Sequence, residues 1–377
     1  MNISQTGATL SGSYSIKSGS YVASGFVYGT SSGNLTQTST SGILTGLAPG
    51  TKYYFQYYVT VQGTGEYSSK VETFYSPEAS FTTASISTWL TNYEMPATNA
   101  SAVSTSNTLY AGRYCHYAVS ETYGSTKACR YNTSDANQKV VTHTYEYNGK
   151  VVRNYSFLYD KTYKSALWVA YATSNSGDFK NNSVGRNEVW AYDPALDQNW
   201  QQNLGSAYKS SSSSSGLSYD RGHQVASNDR QTTKEQNQQT FYYTNMTAQY
   251  SDFNQGQWNT LESRVQGVAT VTTGTDTLYV VTGPLFEGTL ATVPDKSGVS
   301  CQAPSGYWKC LMKCSFDASG AMTAAVGCAY LFDTNSENVA PSVVSIDDIE
   351  SRTGFDFYTN VPAALQTAAE SQTYSFF

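Results

Sequence analysis

The sequence predicts an α+β protein in two parts: a small all-β sandwich over residues 1–84, a linker or lead-in at 85–105, and a larger α+β domain over 106–377. Three observations carry that prediction. The 377 residues exceed the roughly 100–200 of one ordinary domain. The first 84 are strand-patterned, rich in aromatics and free of Cys, Trp and His. Midway through the remainder, two strand-like segments precede apolar residues at helical spacing, the order of a hairpin followed by a helix.

In the first part, three Lys (17, 52, 70) balance three Glu (66, 72, 78), so the segment is neutral and chemically unequipped. Tyr53-Tyr54-Phe55-Gln56-Tyr57-Tyr58-Val59 places apolar and aromatic side chains on both faces, as a central strand of a sandwich does. The preceding Leu47-Ala48-Pro49-Gly50-Thr51-Lys52 resembles the corner of fibronectin type III domains, with Tyr53 as the corner tyrosine. Another small β-sandwich is the alternative, with the same consequence for function. Phe81-Thr82-Thr83 reads as its last strand, and Ser, Thr, Asn and Pro96 mark the linker that follows.

Composition narrows the functional class. Charged residues are 13% of the chain, against about 25% in ordinary soluble domains, and 32 Tyr with many Ser, Thr and Gly supply the polarity. No apolar run approaches the ~18 residues of a membrane-spanning helix. The net charge of −6 belongs wholly to the second part and opposes nucleic acid and acidic lipid alike. Six cysteines suit an oxidising compartment. Met1-Asn2-Ile3 leads straight into strand-like sequence, so the expectation is a secreted or otherwise extracytoplasmic chain whose targeting segment is absent. Ser210 to Ser215 is the one low-complexity tract and reads as a mobile surface loop.

Just after that tract stands Tyr219-Asp220-Arg221-Gly222-His223-Gln224. On a strand from Tyr219 to Ala226, period-2 alternation puts Arg221 and His223 on one face, with Gly222 leaving room for a phosphate. Phe241 to Met246 reads as the second strand and delivers Asn245. Beyond Asn254, Trp258, Leu261 and Val265 recur at helical spacing, so a helix over about 254–268 packs on the hairpin. Neutral imidazole accepts a proton near pH 7, which makes His223 the candidate base. Glu262 lies eight residues beyond Asn254, roughly 12 Å along a continuous helix, which opposes direct coligation of one ion.

These segments, with Thr244 to Glu262 as a block, resemble the DNA/RNA non-specific endonucleases, the ββα-metal nucleases. Arg153-Asn154-Tyr155-Ser156, Leu167-Trp168-Val169-Ala170-Tyr171 and Arg186 with Asp193-Pro194 resemble the family's upstream elements. Thr282-Gly283-Pro284-Leu285, Tyr307-Trp308-Lys309 and Ile349 to Gly354 resemble its closing ones, so that roughly residues 90–365 are covered. The resemblance implies an endonuclease that hydrolyses phosphodiester bonds of DNA and RNA and leaves 5′-phosphate ends. It implies Mg²⁺, with Mn²⁺ or another divalent cation as substitute. It makes His223 the general base, Asn254 the direct metal ligand and Glu262 a ligand through water. Arg221 and Arg186 are implied to stabilise the phosphate, and Asn245 to orient the water or the base. The family usually has Pro where this chain has Ala226 and Ala248, which bears on loop rigidity alone.

Plainer readings stand beside these. His116 and His143 read as satisfied polar residues, Asp220 as a structural hydrogen-bond partner, and Arg186 has the alternative of a plain surface arginine. The functional alternative is a non-catalytic surface binding or adhesion protein with a nuclease-like domain. The N-terminal domain is open to a protein or glycan ligand.

Cys301, Cys310, Cys314 and Cys328 contain no CxxC pair, which favours disulfides over zinc. Of three connectivities, strands at 307–316 and 321–331 favour Cys310 with Cys328, leaving Cys301 with Cys314. Cys115 and Cys129 would close a loop of about 15 residues, contributing ~3 kcal/mol. Residues 180–264 hold seven Lys or Arg and eight Asp or Glu. Phosphate binding is therefore expected to be local, with a shallow salt dependence.

Overall fold

The computed structural model describes residues 2–3, 7–45, 47, 51–83, 92–98, 115–118, 125–148, 150–175, 179–180, 182–206, 208, 218–272, 276–318 and 320–377. Two units result, Met1–Thr88 and Trp89–Phe377. Most of the proposed linker, the serine tract, residues 48–50 of the tyrosine corner, and the side chains of His116, Cys115 and Cys129 lie outside the described residues.

The first unit runs β1 (Asn2–Ile3), β2 (Gly7–Thr9), β3 (Ser20–Gly29), β4 (Gln37–Ser39), β5 (Ile43–Thr45), β6 (Lys52–Gln62), β7 (Val71–Tyr75) and β8 (Ala79–Thr82). One sheet has the order β1-β2-β5 and the other β4-β3-β6-β7, with β8 also on β6. The aromatic run is thus a central strand. Alternation sends Tyr53, Phe55 and Tyr57 toward one buried cluster with Ala8, Leu10, Phe26, Leu44, Leu47 and Phe81. Tyr53 stacks on Phe81 with centroids 5.7 Å apart.

The second unit is built on an antiparallel sheet. Its strands are β9 (Cys115–Ala118), β10 (Ser125–Asn132), β11 (Gln138–Tyr147), β12 (Lys150–Asp160) and β13 (Ser165–Thr173). A separate hairpin follows, β14 (Tyr219–His223) and β15 (Met246–Tyr250), with α1 (Lys234–Gln239) between its strands. Then come α2 (Ser251–Phe253), a π-helical turn (Asn254–Trp258) and α3 (Asn259–Val271). The chain returns to the sheet through β16 (Thr277–Leu285), leaves for the small hairpin of β17 (Thr292–Pro294) and β18 (Ser300–Gln302), and completes it with β19 (Gly306–Phe316), β20 (Met322–Phe332) and β21 (Ser342–Val344). Helices α4 (Ile346–Thr353) and α5 (Ala363–Glu370) close the unit. Among the described residues the sheet order is β21-β20-β19-β16-β13-β12-β11-β10-β9.

Alternation along these strands feeds two cores. One face carries Tyr155, Phe157, Tyr171, Val280 and Tyr307 and is covered by Trp258, Leu261 and Val265 of the hairpin-following helix. The other carries Trp168, Val281, Trp308 and Met312, covered by Ile346 and Ile349 of α4 with Phe357 and Tyr358. Aromatic and β-branched side chains dominate both, so apolar burial is the main stabilising term. The helix bearing Asn254 is held to the sheet by that burial.

The same alternation corrects the cysteine pairing. Cys301, Cys310, Cys314 and Cys328 are free thiols, all buried. Cys310 is in register with Ala329, and Cys328 with Leu311, its neighbour. Successive residues point to opposite faces, so Cys310 joins one core and Cys328 the other. Cys301 belongs to a third cluster with Leu204 and Tyr208, apart from Cys314. These four cysteines therefore carry no argument about an oxidising compartment.

Candidate active site

The hairpin differs from its sequence reading in extent. β14 ends at His223 and pairs with β15 in the register Tyr219↔Tyr250 to His223↔Met246. The apolar Phe241–Met246 stretch is mostly a turn, with a 3₁₀ segment at Tyr243–Asn245. It is buried largely by packing, with an isolated parallel bridge from Tyr242 to Ala191 in place of a paired strand, a distinction that periodicity alone cannot make in a short apolar run. Gly222 also has another role. A Cβ there would stand 2.2 Å from Gln249 Oε1, so the missing side chain admits Gln249 of the partner strand, not a phosphate.

Arg221 and His223 share a face as alternation requires, and both line a cavity of about 500 Å³ with Arg186, Glu188, Asn254 and Glu262. The His223 ring meets Phe241 (5.2 Å between centroids) and Trp190 (5.6 Å) edge to face. It hydrogen-bonds the Arg221 backbone, while its Nε2 is buried with no hydrogen-bond partner among the described residues. The bonded nitrogen is therefore Nδ1, a donor to the carbonyl, and Nε2 is the unprotonated acceptor. Burial first, then Arg186 and Arg221, push the ring's pKa down to about 3, so it is neutral at pH 7.

Asn245 is not on the cavity. Its Oδ1 accepts from Val225 N (3.0 Å), and its Nδ2 donates to Val225 O (3.0 Å) and Thr240 O (2.8 Å). Its own carbonyl accepts from Gln224 N. The amide is consumed in fixing the chain just beyond His223, which corrects the expectation that it orients a water or the base.

Asn254 opens the π-helical turn. Its Nδ2 donates to Asp220 Oδ2 (2.9 Å), which also receives Gln255 Nε2 (2.9 Å), while Asp220 Oδ1 accepts from Ser251 (3.0 Å). Asp220 thus turns the Asn254 amide so that Oδ1 is the atom left for a cation. In an uninterrupted α-helix Glu262 would sit about 80° away from Asn254 around the axis. The π turn takes in one extra residue, about 100° of rotation, and brings both onto the cavity-facing side. Asn338 secures that turn by accepting from Gln257 N (2.9 Å) over Gly256, where a Cβ would stand 2.3 Å from its Oδ1.

Glu262 is half-buried, and its Oε1 has no hydrogen-bond partner among the described residues. Burial pushes its carboxyl up to about 7, against the pull of Lys309. An unpartnered carboxylate oxygen and an amide oxygen on one cavity are hard donors of the kind Mg²⁺ accepts, so the residues fit a divalent cation.

Arg186 and Trp190 arrive from the segment before Asp193. Arg186 lies over the Phe241 ring (4.9 Å), and Arg221 stacks on Trp190 at 3.6 Å while donating to Leu204 O (3.1 Å). Asn237 holds this segment through Asn187 N (2.7 Å) and binds Ser227 and Arg230 beyond His223. His143 is a buried core residue paired through Nε2 with Asp193 (2.8 Å), while its Nδ1 has no hydrogen-bond partner among the described residues, so the expected satisfied polar residue is satisfied at one nitrogen only. Trp190 and Asn237 escaped sequence reasoning, because Arg221 and Asn187 lie about 30 and 50 residues from them and no local spacing marks the pairs, and Glu188 escaped it although its partner Arg186 is two residues away, because no motif marks that pair.

A hairpin crossed by a helix over an antiparallel sheet, with histidine, arginine and amide converging where they meet, is the arrangement of a ββα nuclease. The sequence profile of the DNA/RNA non-specific endonucleases matches residues 133–364, and the chain belongs to that family. It is similar to a nuclease of Nostoc sp. (strain PCC 7120), 33% identical over 232 residues, covering 60% of this chain and 78% of the relative. It is also similar to a nuclease of Serratia marcescens, 29% identical over 240 residues, 63% and 81% of the two chains. A mitochondrial nuclease of Saccharomyces cerevisiae is 23% identical over 224 residues, 56% of this chain and 65% of the relative. The protein is a hydrolase, a DNA/RNA endonuclease of a metal-dependent family.

Proposed function

We propose that this endonuclease hydrolyses DNA and RNA with Mg²⁺, using His223 as general base and leaving 5′-phosphate ends. The observation that carries this reading is the buried, unpartnered His223 Nε2 beside two arginines and the Asn254 and Glu262 oxygens on one cavity. Asn254 would hold Mg²⁺ directly and Glu262 through a water. When bound, the ion supplies Lewis-acid stabilisation of the phosphoryl oxygens.

The chain's own residues account for the rest. Nδ1, donating to the Arg221 carbonyl, keeps Nε2 free to take a proton from an attacking water. Burial is the first cause of the ring's low basicity, and a phosphodiester anion would offset the second, the field of Arg186 and Arg221. Arg221, held flat on Trp190, and Arg186, over Phe241, face the charge that builds on phosphorus-bound oxygens. Contacts to phosphate carry no sequence information, which supports weak sequence preference. The sheet split β1-β2-β5 against β4-β3-β6-β7 supports reading the N-terminal unit as a fibronectin type III-like sandwich.

A plasmid-nicking assay tests the reading. Wild type should cut with Mg²⁺ and stop with chelator, and His223→Ala should lose about 10²–10⁴-fold in rate. Undiminished cutting by His223→Ala removes the base assignment. A folded wild type that is inactive with every divalent metal favours the non-catalytic alternative.

A further inference from the structure

Glu188 has no place in the chemistry above, yet it stands in the cavity. Its Oε1 accepts from Arg186 Nε at 2.6 Å, with both side chains about half exposed (47% and 53%). The pair is not incidental to chain direction. Val189 N closes a three-residue turn on Asn187 O (2.8 Å), centred on Glu188, and Asn187 N is tied to Asn237 (2.7 Å). The turn folds the carboxylate back onto the arginine two residues earlier. The Trp190 indole, which carries Arg221, is also a hydrogen-bond partner of Glu188, and Arg221 attracts it. The carboxyl is held below its usual range, the Arg186 hydrogen bond being the largest cause.

Charge sharpens the point. Arg186 and Arg221 bring two positive charges to the cavity, and Glu188 and Asp220 bring two negative ones before Glu262 is considered. Asp220 spends its oxygens on Asn254, Gln255 and Ser251. Glu188 instead presents an anion to the guanidinium that the reading above gives to the substrate phosphate. A carboxylate and a phosphate compete for the same N–H donors.

We propose that Glu188 is a built-in competitor of the substrate phosphate, which occupies Arg186 in the empty enzyme and is displaced or repelled each time a polynucleotide backbone enters. The inference rests on the nuclease reading for the identity of the anion. It makes Glu188 a determinant of affinity: the site favours a polyanion, whose neighbouring phosphates supply further contacts, over a single small anion.

The test uses the full chain with Glu188→Gln and Glu188→Lys, each checked for an unchanged melting temperature. Binding of a fluorescent single-stranded oligonucleotide is measured by anisotropy in chelator, and KM by initial rates with Mg²⁺. An exposed pair of this kind is worth about 1.4-fold to fivefold in an equilibrium. Glu188→Gln should lower Kd and KM by that factor, and Glu188→Lys should lower both further. For Glu188→Lys, which adds a cation, the salt slope of binding should steepen by about 0.7, one phosphate's share on a single strand. Unchanged or raised Kd in both variants overturns the proposal and makes Glu188 a support for Arg186. If the wild type cleaves no substrate, the nuclease reading fails by itself, and the anisotropy series still decides whether Glu188 competes with a phosphate backbone.

Discussion

Replacing Asn245 by alanine separates two roles that a sequence cannot distinguish. The substitution removes one acceptor and two donated bonds, and leaves Val225 N–H, Val225 C=O and Thr240 C=O without partners in a fully buried place. An orphaned buried polar group costs about 1–3 kcal/mol, with carbonyls at the lower end. The expected loss is therefore about 3–5 kcal/mol, a large share of the roughly 5–15 kcal/mol that holds a domain folded. At about 2–4 °C per kcal/mol, the melting temperature should fall by about 6–20 °C. All six tryptophans lie in the second unit, so tryptophan fluorescence reports that unit alone. His223 is two residues from Val225, and a displacement near 1 Å there costs up to about 10²-fold in rate. Nicking is measured well below both melting temperatures. Asn245→Asp keeps the acceptor for Val225 N–H and should fall between wild type and alanine. If Asn245→Ala lost activity while melting within about 2 °C of wild type, the side chain would be acting on the water or the base, and the positioning role assigned here would be wrong.

Three further outcomes follow from the same geometry. Asp220→Ala frees the Asn254 amide, so the Mg²⁺ concentration for half-maximal activity should rise about 10- to 100-fold, read from a metal titration of nicking; no change would remove the supporting role of Asp220. Glu350 and Glu370, remote from the cavity, are pushed up to about 7 and 8, mainly by burial. The folded state then holds more protons than the unfolded one between about pH 4.5 and 8, so stability falls as pH rises through that window. The metal-free protein should melt higher at pH 5 than at pH 8, and the opposite slope would contradict those shifts. Finally, alkylation of denatured, unreduced protein followed by peptide mapping should label Cys301, Cys310, Cys314 and Cys328, and any of them recovered in a crosslink would overturn their placement.

Much of the site is written locally. Arg221 and His223 are two residues apart on a strand, and strand alternation alone puts them on one face. Trp258, Leu261 and Val265 announce the helix by their spacing and then bury against the sheet, as that spacing requires. Family membership was legible in the same motifs. The errors share a cause as well. Asn245, Gly222 and the cysteines were assigned roles from neighbours in sequence, whereas their neighbours in space come from another strand or another face.

The sequence by itself determined that a strand presents Arg221 and His223 on one face and that a helix buries Leu261 and Val265, because both depend on backbone periodicity and on residues a few positions apart. The tertiary structure decided how the elements are phased against one another. Asn338, some eighty residues away, caps the π turn that aligns Asn254 with Glu262. Asn237 ties the Arg186 segment to the chain beyond His223, and Trp190 gives Arg221 a surface to lie on. These are hydrogen bonds and ring contacts between distant segments, formed only once burial of the two cores has brought the segments together.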